Sequence, residues 1–150
     1  EVSRSFGESL QKSPPQAEQI AADRHAVDRW VTRHSQSRFI SHASGLSRMN
    51  YIGGAGAPAG HFRKDFVHLP VGRRVRAYRR EVEDVYFVTS GYLTVGWEQD
   101  GAVVEERIGP REAVFNPAGR LHYFRNEGVE DVEFLMIVGS GGPEEQGFDA

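Results

Sequence analysis

The stretch PAGRLHYFRN (117–126) sets a histidine, His122, three residues after a Pro-x-Gly turn and four before Asn126. Upstream, YRREVEDVY (78–86) brings together two phenols, Tyr78 and Tyr86, the guanidinium of Arg80 and the carboxylate of Asp84. An imidazole exchanges protons near neutral pH or ligates a metal. A guanidinium clamps a carboxylate or phosphate through two hydrogen bonds and cannot ligate a cation. A phenol can donate a proton or stabilise an oxyanion. The chain has no cysteine, so disulfides, thiolate metal sites and Cys nucleophiles are excluded. Any metal would rest on histidine, carboxylate or other oxygen ligands.

The elements that must position these groups follow from pattern and punctuation. At 150 residues and 39% hydrophobic content, the chain suits one domain with one core. Its net charge of -3 implies no dominant nucleic-acid surface. No apolar run is long enough to span a membrane, and EVSRSFGESLQKSPPQ has no apolar stretch of secretory type, so a cytoplasmic protein is expected. Ala17, Ile20, Ala21, Val27, Trp30 and Val31 recur at roughly helical spacing after Pro14-Pro15, which predicts a helix over about 15–35, with His25 and His34 as solvated or structural residues. The Ser- and Gly-rich stretch 36–60, ending in YIGGAGAPAG, reads as a connection from helix to sheet, or as a flap over a site. An N-terminal extension over 1–60, a barrel over 61–141 and a tail over 142–150 are therefore expected. From residue 61 the chain becomes a series of short β runs separated by turns, with Asp100-Gly101 a hairpin signal. Seven or eight such strands without parallel βαβ units mean a sandwich or small barrel.

Two of these segments resemble the paired motifs of the cupin superfamily. The first family motif runs from a glycine through H-x-H and a glutamate to a second glycine. Here Gly72 opens GRRVRAYRREVEDVYFVTSG and Gly91 closes it. The second motif ends in P-x-G-x-x-H-x-x-x-N, which Pro117, Gly119, His122 and Asn126 match, with Arg111 in place of its initial glycine. The resemblance covers about residues 65–140. It implies an all-β fold, a small single-domain cupin-type double-stranded β-helix (jelly-roll) barrel, here carrying the N-terminal α-helical extension.

In many cupins the H-x-H pair, the glutamate and the second-motif histidine hold iron, manganese, zinc, nickel or copper. In this chain the H-x-H positions are Tyr78 and Arg80, the glutamate position is Asp84 with Glu83 beside it, and only His122 survives. Arg80 inside that shell would repel a cation. No cofactor is therefore expected; the alternative is a divalent transition metal in a rearranged shell of His122 with His61 or His68. Those two lie seven residues apart, which puts them on opposite faces of a continuous strand.

Period-2 alternation, applied to the motif, turns Tyr78, Arg80, Asp84, Tyr86, His122 and Phe124 inward, and Arg74 and Arg76 too if the strand runs unbent. His122, Tyr78, Asp84 and Tyr86 are then the catalytic candidates, and Arg80, Arg76, Phe124 and Phe115 the substrate-binding ones. A buried arginine needs an anionic partner, either Asp84 or Glu83 or the carboxylate, phosphate or enolate of a ligand. Asn126 is expected to serve turn geometry. The set fits a metal-independent enzyme acting on a small anionic or carbonyl compound by proton transfer, of isomerase, cyclase, epimerase or dehydratase/lyase type. The alternatives are a non-catalytic small-molecule-binding cupin and a metal-dependent dioxygenase or lyase. A homodimer is expected, with the N-terminal helix pairing two copies or plugging one barrel end.

Overall fold

The computed structural model describes residues 31–37, 39–53 and 59–139. Nearly all of the helix expected over 15–35, the centre of the Gly-rich stretch and the tail 142–150 lie outside the described residues. The described chain opens with one 3-10 turn, His34–Gln36. It continues through strands β1 (Phe39–Ser41), β2 (Ser47–Ile52), β3 (Phe62–Leu69), β4 (Arg74–Tyr78) and β5 (Asp84–Ser90). There follow β6 (Leu93–Gln99), β7 (Ala102–Ile108), β8 (Ala113–Asn116), β9 (His122–Arg125) and β10 (Val132–Gly139). All pairings are antiparallel, as the all-β reading requires. Among the described residues no helix is long and apolar enough to cross a membrane.

The strands form a six-stranded sheet, β1-β2-β3-β10-β5-β8, and a four-stranded sheet, β4-β9-β6-β7. β1 and β2 lie in the stretch read from sequence as a connection. They are joined by a tight turn through Gly45 at φ +86° and extend the larger sheet beyond β3. Their short length and the Ser/Gly content between them conceal the period-2 signal.

Along β3 and β10, and along β5 as far as Val88, every second residue is buried, so one face of each strand supplies the interior. Val67, Leu69, Val88, Phe134 and Met136 from the large sheet meet Val75, Leu93, Val95 and Phe124 from the small one. Tyr86, Phe124 and Phe134 pack edge-on or tilted, with ring centroids 5.2–5.5 Å apart, the geometry that ring quadrupoles favour.

β5 turns into β6 at Gly91, which sits at φ +75°. A Cβ there would lie 2.6 Å from the Asp131 carbonyl oxygen. Both the left-handed backbone and the close approach demand glycine. Gly91→Ala is expected to lower the unfolding free energy by about 1–3 kcal/mol, measured by urea denaturation; an unchanged midpoint would show that the turn relaxes freely.

Candidate functional site

The inner face divides into an apolar end and a polar end. At the polar end, β4 and β9 pair so that Tyr78 stands opposite His122. β5 contributes Asp84 and Tyr86 from the facing sheet, with Asp84 in register with Val138 on one side and Asn116 on the other. Arg80 follows β4 directly. Tyr78, Arg80, Asp84, Tyr86 and His122 are all buried. The five residues that alternation turned inward at the motif positions thus meet in one cluster, and Phe124 joins the hydrophobic core beneath them.

The contacts are specific. Arg80 Nε donates to Asp84 Oδ2 at 3.0 Å. His122 Nε2 lies 3.4 Å from the same oxygen, an electrostatic contact rather than a hydrogen bond. On the other side of the ring, His122 Nδ1 lies 2.7 Å from the Arg120 carbonyl oxygen. A carbonyl only accepts, so Nδ1 carries a proton and Nε2 is the nitrogen turned toward Asp84. His122 Nε2 and Asp84 Oδ1 are both buried with no hydrogen-bond partner among the described residues. The Tyr78 ring lies tilted on His122 with centroids 4.4 Å apart, and the Arg80 guanidinium carbon sits 5.1 Å from the centre of that ring. The Tyr78 and Tyr86 hydroxyls hydrogen-bond to each other.

Both phenols ionise above their ordinary range. Burial is the main cause for Tyr78, reinforced by the negative charge of Asp84 and opposed by Arg80. For Tyr86 burial again leads, followed by Tyr78 and Asp84. Both therefore stay neutral proton donors at any ordinary pH.

The backbone fixes this arrangement. In the Pro117–Arg120 turn, Arg120 N–H donates to the Pro117 carbonyl at 3.2 Å and Gly119 adopts φ +80°, as a type II turn requires. Gly119 N–H donates to the Arg80 carbonyl at 2.8 Å, and Arg79 Nη1 to the Gly119 carbonyl at 2.9 Å. The turn that aims His122 is thus tied to the backbone that carries Arg80. Asn126 is buried and organises chain turns: its amide donates to the Leu69 and Glu130 carbonyls and its oxygen accepts from Gly128 N–H.

Several candidates lie elsewhere. The pairing of β4 with β9 shifts between Val75 and Tyr78. This irregularity reverses the alternation, so Val75 and Tyr78 are buried while Arg74 and Arg76 are exposed. They line a groove of about 410 Å³ on the outer side with Tyr123 and Arg125. Phe115 is 51% exposed, because its neighbour Asn116 takes the inward position on β8. His61 is exposed. His68 is on the outer face of β3, 3.0 Å from Asp131. Neither can join His122.

A second buried charged group escaped the sequence reading. Arg48, Arg63 and Asp65 are nearly inaccessible. Arg48 Nη1 and Arg63 Nε lie 3.0 and 3.1 Å from Asp65 Oδ2, and Asn50 donates to Asp65 Oδ1 at 2.8 Å. Desolvation lowers the Arg63 pKa to about 10, with Asp65 opposing and the nearby charges of Arg48 and Arg80 adding to the fall. The signal existed: counting back in twos from Val67 and Leu69 lands on Asp65 and Arg63.

Of the residues in the cluster, only His122 and Asp84 have metal-ligating chemistry of the kind cupin shells use, and the Arg80 cation already occupies the Asp84 oxygen nearest the imidazole. Among the described residues no group of three or more His, Cys, Asp or Glu side chains could hold a metal ion. The residues present do not fit a cupin metal shell.

Comparison with known proteins agrees with this architecture. The family profile of the cupin domain matches residues 65–138. The polyketide cyclase RemF from Streptomyces resistomycificus superposes with a TM-score of 0.64 at 17% identity, over 79% of this chain and 83% of that one. The lyase DddQ from Ruegeria pomeroyi DSS-3, named for DMSP, gives 0.61 at 17% identity, over 85% and 78%. An RmlC-like cupin from Shewanella frigidimarina NCIMB 400 gives 0.62 at 12% identity, over 77% and 93%. At such identities the likeness is one of fold. No curated protein matches the sequence.

The two buried phenols make a titration test. Fold-raised ionisation means that the neutral phenols contribute stability that is fully present below pH 10.0, the ordinary tyrosine value, and lost as pH rises beyond it. In an absorbance titration, Tyr78→Phe/Tyr86→Phe should lose two tyrosines of phenolate signal in denaturant and none in the folded protein below about pH 11. Equal loss in both states would show that the phenols are accessible.

Proposed function

The barrel of this chain is a cupin domain, and on that premise we propose that it is a metal-independent enzyme transferring protons on a small carbonyl or carboxylate compound. The observation that carries the reading is the pair of buried atoms without hydrogen-bond partners, His122 Nε2 and Asp84 Oδ1, beside two neutral phenols. Such orphaned groups are rare in proteins and call for a role. A substrate group between them would satisfy both.

Each residue then has a task set by its chemistry. With Nδ1–H held by the Arg120 carbonyl, the His122 Nε2 lone pair accepts a proton from the carbon next to the carbonyl. Asp84, 3.4 Å away, stabilises the imidazolium formed. The charge left on the substrate oxygen needs donors placed beforehand. The Tyr78–Tyr86 hydroxyl pair, kept neutral by burial and with one of its two protons engaged in the mutual bond, can donate one hydrogen bond, and Arg80 supplies permanent positive charge. Returning the proton to a different face or atom gives epimerisation or isomerisation; loss of a group at the next carbon gives a lyase or dehydratase; attack of the enolate within the molecule gives a cyclase. Two solved relatives are named as a cyclase and a lyase, which supports such chemistry on this type of barrel.

The test does not need the substrate identified. A panel of enolisable 2-oxo and 3-oxo acids and ketones is incubated with the protein in D2O, and loss of the C–H signal is followed by NMR. The wild type should accelerate exchange for at least one compound, with EDTA present as well as absent. His122→Asn should lower that exchange by at least about 100-fold, the usual contribution of a general base, measured at a temperature where the variant retains its folded circular dichroism. Exchange that survives in His122→Asn, or that EDTA abolishes, overturns the reading.

A further inference from the structure

One cation beside the cluster has no task in the proton transfer. The turn between β8 and β9 carries Arg120, whose guanidinium carbon lies 5.0 Å from the centre of the Trp97 ring on the small sheet. Its Nη2 donates to the Phe115 carbonyl at 2.5 Å and to Asn116 Oδ1 at 3.3 Å, both on the large sheet. Arg120 therefore spans the two sheets. Trp97 on β6 stands in register with His122 on β9, and Asn116 on β8 with Asp84 on β5. The side chains that hold Arg120 are thus the strand neighbours of the imidazole and of the carboxylate. Arg120 and Trp97 are half-buried, whereas Asn116, Asp84 and His122 are buried. On this side the cluster meets solvent past Arg120.

The chemistry of this corner calls for an anion. Asn116 is 2% exposed, and its Nδ2 is buried with no hydrogen-bond partner among the described residues. A guanidinium only donates, so the Asn116 atom that faces Arg120 is the oxygen and the amide nitrogen is left over. Arg120 Nε is likewise buried and without a partner among the described residues. The contacts of Arg120 are a backbone carbonyl, an amide oxygen and an aromatic face, none of which carries a negative charge. Burial lowers its pKa and the charge of Asp84 opposes the fall, so the cation is partly desolvated and stands within the field of the carboxylate beside His122. A desolvated cation and two idle donors are matched by a carboxylate, which accepts at both of its oxygens.

Resting on the proton-transfer reading above, we propose that Asn116 Nδ2 and the Arg120 guanidinium hold the carboxylate of the substrate, so that the compound is an oxo acid rather than a neutral ketone. One carboxylate oxygen accepts from Asn116 and the other from Arg120 Nε. Held there, beside the strand positions of Asp84 and His122, the acid directs its carbonyl end to the imidazole and the phenols. Asn116 and Arg120 touch no reacting atom; they separate acids from neutral compounds of the same shape.

Trp97, against the Arg120 guanidinium, reports on binding. Trp30 and Trp97 are the two tryptophans, so full-length protein carrying Trp30→Phe leaves Trp97 as the single indole. Its fluorescence is titrated with short 2-oxo and 3-oxo acids and with the methyl ester of each. At least one acid should bind at least about 10-fold more tightly than its ester, the equivalent of one charge-assisted hydrogen bond. Arg120→Gln should abolish that preference and leave ester binding unchanged, and Arg120→Lys should restore part of it. Asn116→Leu, which alters no charge, should also reduce it in protein that retains its folded circular dichroism. No acid preferred over its ester in the parent protein, a preference that survives Arg120→Gln or folded Asn116→Leu, or equal loss of acid and ester binding overturns the proposal. The titration involves no turnover. Arg120-dependent acid binding without deuterium exchange on any compound therefore overturns only the proton-transfer reading, whereas exchange that runs equally on acid and ester overturns only this one.

Discussion

The Asp84 carboxylate is the interaction on which the interior depends. It is fully buried, and a buried charge persists only when it is paired. Arg80, from the connection between β4 and β5, meets it by a hydrogen bond, and His122, from the facing sheet, meets it by charge. Satisfying it therefore fixes three things at once: the register of β5, the path of the chain leaving β4, and the Pro117–Arg120 turn that aims the imidazole. Removing one partner of such a buried pair typically costs about 3–5 kcal/mol, so each of these elements holds the others in place. The same carboxylate raises the two phenols further out of their ionising range. Structural demand and chemical capacity thus meet in one group.

The register shows how the barrel separates its two tasks. Toward one end the inner rows are Val67, Phe134 and Val88, a packed hydrophobic core. Toward the other they are Asp65, Met136 and Tyr86, then Arg63, Val138 and Asp84. Arginine and aspartate replace aliphatic residues within two steps along β3 and β5, while β10 between them stays apolar. The apolar end supplies stability, while the polar end carries buried charge whose arrangement is dictated by pairing rather than by packing.

Much of this was legible because strand alternation has a rigid period. Tyr78, Arg80, Asp84, Tyr86 and His122 occupy positions that the motif and the period together turn inward, and the structure gathers them. Arg76 was misplaced because the irregularity between Val75 and Tyr78 changes the phase, and no residue type in RRVRAY signals it. Phe115 was misplaced because an aromatic residue suggests an interior that its strand instead gives to Asn116. Arg63 and Asp65 were missed for the converse reason: charged residues read as solvated until their strand's period is followed through them. The hairpin of β1 and β2 was hidden by its brevity and by the Ser/Gly-rich turn at its centre. The sequence distinguishes apolar from polar well; it does not show which polar residues have found partners.

The position of the proton on His122 tests the account most directly. In protein carrying 15N-labelled histidine, long-range 1H–15N correlation reads the state of each ring nitrogen. The account requires a proton on Nδ1, held by the Arg120 carbonyl, and a Nε2 resonance that responds to Asp84. Asp84→Asn should shift Nε2 while Nδ1–H persists. A bare Nδ1 with the proton on Nε2, or a Nε2 resonance unmoved by Asp84→Asn, would contradict it.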